Sequence, residues 1–133
     1  MGYGEYLVRD ALNSWHGPKD EVLVATKTGW LRTLDNHGNY SWQADARPET
    51  MIANAKESAR RLGVETLDLL YSHCKRSAGA HEDQMGALKQ LVDEAVVRAV
   101  GISRIDNKDI EIAHTILGDR LVAVQNQFSP VHR

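Results

Sequence analysis

The run "LDLLYSHC", residues 67–74, reads as a short apolar strand with an aspartate near its start and an imidazole at its end. Side chains alternate between the faces of a strand, so Leu69, Tyr71 and His73 share one side while Asp68, Leu70 and Ser72 share the other. Three more strand-like runs divide in the same way. One set holds Leu23, Ala25 and Lys27, then Ala99, Gly101 and Ser103, then Leu121, Ala123 and Gln125. The opposite set, Val22, Val24, Thr26, Val100, Ile102, Val122 and Val124, is mostly the branched aliphatic surface that packs against helices. Within the first set the middle residue is small in three of the four strands and the last is polar in all four, the pattern of a narrow interior with a polar rim. Ligands of α/β proteins bind at the carboxyl ends of parallel strands, where loops and helix N-termini converge, so His73 is expected on a rim facing a ligand. Asp68, of opposite parity, is expected to face the helices and to pair or cap near Arg60 or Arg61.

Helix-like segments separate these strands. "GEYLVRDALNSWHGP" places Leu7, Val8, Ala11, Leu12 and Trp15 on one helical face, with Gly17 and Pro18 as the stop, and "EVLVATK" follows as a strand. "RPETMIANAKESARRLG" opens with Pro48 in its first turn and closes at Gly63, which tolerates a left-handed cap. "EDQMGALKQLVDEA" stacks Met85, Leu88, Leu91, Val92 and Ala95. A fourth helix starts near Asp106 or Asn107 and finishes at Gly118. Strands alternating with helices of this length imply right-handed crossovers and a parallel sheet. The stretch "TGWLRTLDNHGNYSWQADA" reads as a long connection without apolar periodicity. Its aromatic residues suit the wall of a substrate pocket, with Trp30 the candidate, as well as a surface excursion with one tryptophan packed down.

The chain has 133 residues, 42% of them hydrophobic, which fits a single domain with a real core. A net charge of −2 supplies no basic patch for nucleic acid, and no apolar run suggests a membrane span. The single Cys74 and the lack of a signal peptide point to a reducing, cytoplasmic setting. The histidines lack ligand spacing, so no metal site is expected. "GYG" at residues 2–4 follows no strand and lacks the third glycine of a dinucleotide fingerprint.

A lysine ending one strand, a histidine ending the next, then Ser103 and Gln125 on the following two, resemble the aldo-keto reductase superfamily. "VATKTG" resembles that family's strand-three lysine segment, and "ESARRLGVETLDLLYSH" its following helix and strand four. "ALKQLVDEAVVRAVGIS" is similar to the next unit and "VAVQNQFSPVHR" to the strand-six segment. The resemblance implies part of a (β/α)8 TIM barrel that reduces aldehyde or ketone carbonyls, or oxidises alcohols, with NADPH or with NAD in its place. It implies that a tyrosine donates the proton, that His73 orients the substrate carbonyl, and that Lys27 lowers the tyrosine's pKa. Ser103, Arg104 and Gln125 fall at nicotinamide-contacting positions.

The sequence departs from that pattern in places. A full barrel takes about 250 residues, whereas only strands three to six are expected here, as one domain over residues 1–133 truncated at both ends. Tyr3 takes the acid's place if the loop before the first helix is shortened. Counted without a gap, that tyrosine falls before Met1, which would make Met1 internal to a longer reading frame. Arg104 stands where the family usually has asparagine, and Ala95-Val96 replaces a common Gly-Lys pair, a change expected to be neutral. Open barrel edges should favour self-association, and the isolated chain is expected to show no measurable carbonyl reduction. Two rivals stand beside this reading. One is a non-catalytic nucleotide-sensing or interaction subunit on the same scaffold; the other is a small doubly wound sheet that buries "VLVAT" between helices on both sides.

Overall fold

The computed structural model describes residues 2–73 and 80–131. Met1, Cys74, His132 and Arg133, which enter the sequence reading, lie outside them. Four parallel strands form the sheet: β1 (Ala25–Thr28), β4 (Leu67–Ser72), β5 (Val97–Ser103) and β6 (Leu121–Gln125), in that order. Helices α1 (Tyr3–Ser14), α2 (Pro48–Leu62), α3 (His81–Asp93) and α4 (Asn107–Leu117) alternate with them, each packing on the next. The result is an α/β sheet without closure, consistent with part of a barrel.

Local chemistry sets most boundaries. Pro48 occupies the first turn of α2, and Gly63 ends it with φ 72°. Asp106 caps α4 by accepting a hydrogen bond from the Asp109 amide at 3.0 Å, satisfying one of the four orphan N–H groups of that end. Beneath the helices, Leu70, Val100 and Ile102 meet Met51, Ala55, Met85, Leu88 and Leu91, all fully buried. On the other face Leu23 is 65% exposed and Ala25 and Lys27 are also exposed, which excludes the doubly wound alternative.

Several expectations are corrected. The first strand begins at Ala25, not Glu21: Lys19–Glu21 form a 3-10 turn, and the Val24 amide donates to the Asp68 side chain, not to a strand carbonyl. Ala95 lies beyond α3 with φ 58°, a left-handed conformation that costs a residue with a Cβ roughly 1–2 kcal/mol. The Ala95 substitution is therefore not neutral for the backbone. Asp68 pairs with neither Arg60 nor Arg61. It accepts from the Val24 amide at 3.1 Å and lies 3.2 Å from Arg98, its neighbour across the β4–β5 register. Arg60 and Arg61 both bond Glu57, and Arg61 also reaches Glu5 at 2.8 Å.

The aromatic connection is no irregular loop. It is an antiparallel hairpin of β2 (Trp30–Leu34) and β3 (Tyr40–Ala44). Trp30, Arg32, Leu34, Tyr40, Trp42 and Ala44 share one face, and Leu31, Thr33, Ser41 and Gln43 the other, a period of two carried by rings rather than aliphatic groups. The Asp35 carboxylate accepts from the amides of His37 and Asn39, each at 2.8 Å, and Gly38 turns the chain with φ 80°. At the exit, Asp45 receives Arg47 Nη2 at 2.7 Å, and that guanidinium holds its carboxyl at about 2.

Helix α1 also differs from expectation. It stops at Ser14, and none of its residues is buried: Leu7 is 52% and Val8 41% exposed. Polar groups tie it to the rest: Glu5 accepts from Thr26 Oγ1 and Arg61 Nη1, both at 2.8 Å, and the Tyr6 hydroxyl accepts from Arg60 Nη2 at 3.2 Å. Burial pushes the Glu5 carboxyl up, but hydrogen bonds from Ser58, Arg61 and Thr26 outweigh it and leave the pKa below its ordinary value.

Candidate functional site

The register of the sheet places Lys27 beside Tyr71 and Tyr71 beside Gly101, all on the helix-free face. Gly101 supplies the room this row needs, since a Cβ there would fall on the Tyr71 ring. The ring leans over β5, and the Lys27 ammonium sits 5.6 Å from its centroid, within cation–π range.

One step nearer the carboxyl ends, the His73 amide donates to the Thr28 carbonyl at 3.0 Å, continuing the parallel pairing past β4. The imidazole meets Trp30 edge to face, centroids 6.0 Å apart and planes at 64°. Burial first, then the cations of Lys27 and Arg104, hold the His73 pKa below its ordinary 6.5. The ring is therefore neutral at neutral pH, able to donate from one nitrogen and accept at the other.

A cavity of about 230 Å3 opens here at the β1 edge, lined by Lys27, Trp30, Trp42 and His73 and, from α1 and α2, by Glu5, Asn54, Ser58 and Arg61. A second polar group stands beside it at the ends of β5 and β6. Ser103 and Gln125 are register partners, Ser103 is 6% exposed, and the Arg104 amide donates to the Gln125 carbonyl at 3.3 Å. Arg104 carries φ 59°, the left-handed region that asparagine tolerates better than arginine. Tyr3 joins neither group. It is 74% exposed in the first turn of α1 and does not line the cavity, whereas Gly2 and Glu5 do.

Of the sequence-predicted residues, Lys27, Trp30 and His73 come together, Ser103, Arg104 and Gln125 form the adjoining group, and Tyr3 stands apart. Trp42 and Tyr71 are the site neighbours that the sequence reading left without a role. The alternation of rings along residues 30–44 signals the first. The second needs the strand register.

Comparison with known proteins accounts for this combination. The model of the aldo/keto reductase family matches residues 1–133. The chain belongs to that family. An uncharacterized oxidoreductase of Schizosaccharomyces pombe is 32% identical over 129 residues, covering 97% of this chain and 39% of that protein. A second protein of that yeast, an aldo-keto reductase named with NADP(+), is 28% identical over 131 residues, covering 96% of the chain and 37% of its own length. Among solved structures, the glycerol dehydrogenase of Gluconobacter oxydans superposes with a TM-score of 0.83 at 26% identity, over 94% of this chain and 37% of that one. The chain thus spans less than half the length of each of these family relatives. No helix among the described residues is long and apolar enough to cross a membrane.

Proposed function

We propose that this chain carries the carbonyl-binding part of an NADPH-dependent aldo-keto reductase site, acting on aldehydes or ketones. The observation that supports it most is that Lys27 and His73, from adjacent parallel strands, line one cavity. The neutral imidazole donates a hydrogen bond to the substrate carbonyl oxygen and orients it, while the nearby ammonium favours negative charge developing there. Ser103 and Gln125 together offer both donors and acceptors, which suits a planar carboxamide, and Arg104 stands beside them as a further nicotinamide contact. NADPH, when bound, supplies the hydride, and NAD is the alternative cofactor. Proton delivery by Tyr3 requires the first turn of α1 to bring its phenol to the cavity, where Lys27 would lower its pKa from about 10. Residues 1–133 act as one domain, and the outer edges of β1 and β6, unpaired among the described residues, direct self-association.

The exposed position of Tyr3 favours a second reading, a non-catalytic nucleotide-sensing or interaction subunit on the same scaffold. Two measurements separate them. Nucleotide-fluorescence titration of the chain should show NADPH binding weakened by Ser103→Ala. Grafting the chain in place of the matching segment of the Gluconobacter oxydans enzyme should yield carbonyl-dependent NADPH oxidation that His73→Ala and Lys27→Met each lower by about 100-fold. Binding without any turnover in the folded graft would decide for the sensing subunit, and no binding would sink both readings.

A further inference from the structure

The rim beyond His73 carries a second cation on a strained but well-fixed backbone. Arg104 follows Ser103 at the carboxyl end of β5 with φ 59°, a left-handed conformation that a residue with a Cβ adopts only when its surroundings hold it there. Three hydrogen bonds do so. The Arg104 amide donates to the Gln125 carbonyl at 3.3 Å, while the Asn126 side chain accepts from the Ile105 amide at 3.1 Å and donates to the Ile105 carbonyl at 2.9 Å. The turn after β5 is thus tied to the turn after β6, and the direction of the Cα–Cβ bond at residue 104 is set by backbone alone.

The side chain itself is exposed and uncommitted. Arg9, Arg47, Arg60, Arg61 and Arg98 each lie within ion-pair distance of a carboxylate. Arg104 makes no ion pair and no side-chain hydrogen bond among the described residues. Asp106, the next acid along the chain, is turned to the Asp109 amide, and Glu5, the acid of the cavity lining, is held by Thr26 and Arg61. The Arg104 charge nevertheless reaches the site, since it and Lys27 are the cations that act on the His73 imidazole. They approach from opposite sides: Lys27 stands on β1 and Arg104 at the end of β5, with β4 and His73 between them. Neighbouring strands lie about 4.8 Å apart, so donors rooted one strand apart leave room for a short carbon spacer between the groups they hold.

We propose that Arg104 is a specificity residue that receives the carboxylate of an oxo acid, with the ketone or aldehyde carbonyl at His73 and a short aliphatic spacer between the two groups. A guanidinium presents paired N–H donors that match both oxygens of a carboxylate, and its remaining donors stay free for the nicotinamide contact. The assignment rests on the carbonyl-reductase reading for the place of the carbonyl, but the carboxylate preference is measurable without cofactor or turnover.

The test is ligand-observed NMR on the full chain without nucleotide, comparing 4-oxopentanoate with 2-pentanone, its neutral counterpart of equal chain length. Wild type should prefer the oxo acid by about tenfold, less at high ionic strength. Arg104→Asn should abolish the preference, and asparagine tolerates the left-handed backbone, so the fold is kept. Arg104→Lys, with the charge but not the fork, should retain about threefold. A wild type without preference would overturn the proposal. So would a preference that survives Arg104→Asn, or one that Lys27→Met removes and Arg104→Asn does not. If the oxo acid is preferred through Arg104 while the folded graft oxidises no NADPH, the carboxylate site stands and the reductase reading falls. If the graft turns over both compounds with a ratio of kcat/KM that Arg104→Asn leaves unchanged, the carboxylate site alone falls.

Discussion

The two faces of the four-stranded sheet are filled on different terms. Toward the helices, Leu70, Val100 and Ile102 are wholly buried against aliphatic side chains of α2 and α3. Toward the opposite side, Lys27 is exposed, Tyr71 and His73 are half-buried, and Gly101 contributes no side chain at all. Alternate residues of the same strands thus serve stability and chemistry. A substitution should injure one more than the other, according to its parity, except at Gly101, where the Tyr71 ring packs against the backbone.

The largest effect is expected on the helix side. Leu70→Ala should lower unfolding free energy by about 2–5 kcal/mol in denaturant titration, because a fully buried side chain leaves a cavity that rigid neighbours close only in part. A loss below about 1 kcal/mol would mean that this face is no core, since surface changes fall in that range. Next comes Gly101→Ala on the opposite face. The new methyl collides with the Tyr71 ring, so about 1–3 kcal/mol should be lost, and the ring should move from beneath Lys27, visible as changed Tyr71 ring shifts by NMR. An unmoved ring would show that residue 101 does not set its lean.

The smallest stability change belongs to Lys27→Met, within about 0.5 kcal/mol at neutral pH, because the side chain is exposed. Its signature is instead in the titration of His73. Removing the ammonium should raise the His73 pKa, though burial and Arg104 keep it below 6.5. A histidine depressed in the folded state binds fewer protons there than when unfolded. Its contribution to stability is therefore present above pH 6.5 and lost as pH falls through the depressed value, over a window that Lys27→Met should narrow. An unchanged His73 titration curve in the variant would separate the two groups electrostatically and break the site as described.

Much of this was legible from residue order. The span of β5 follows from "VRAVGIS", and the caps at Gly63 and Asp106 follow from side-chain chemistry that acts within a few residues. The shared face of Lys27 and His73 needs only the period of two. What escaped depends on distance along the chain. Sequence proximity points Asp68 to arginines in the preceding helix, but its partner Arg98 is fixed by the offset between β4 and β5, which neither strand encodes alone. Tyr71 as the support of Lys27 is hidden for the same reason. The hairpin is hidden because its alternation is carried by tryptophan, tyrosine and arginine and not by aliphatic residues. Tyr3 shows why a two-residue match says little: the acid's place there depends on a shortened loop, and the phenol stands exposed in the first turn of α1, outside the cavity lining.

The attachment of α1 sets the order in which the molecule comes apart. With no residue of its own in the core, that helix is docked through polar ties, the Glu5 carboxylate and the Tyr6 hydroxyl, and acid that protonates Glu5 weakens the anchor while the apolar layer beneath α2 and α3 is untouched. Amide hydrogens of residues 6–14 should accordingly exchange with deuterium ahead of those in β4 and β5. Because that carboxyl titrates below its ordinary 4.5, only acid stronger than that should widen the gap, releasing the first helix as a separate cooperative unit.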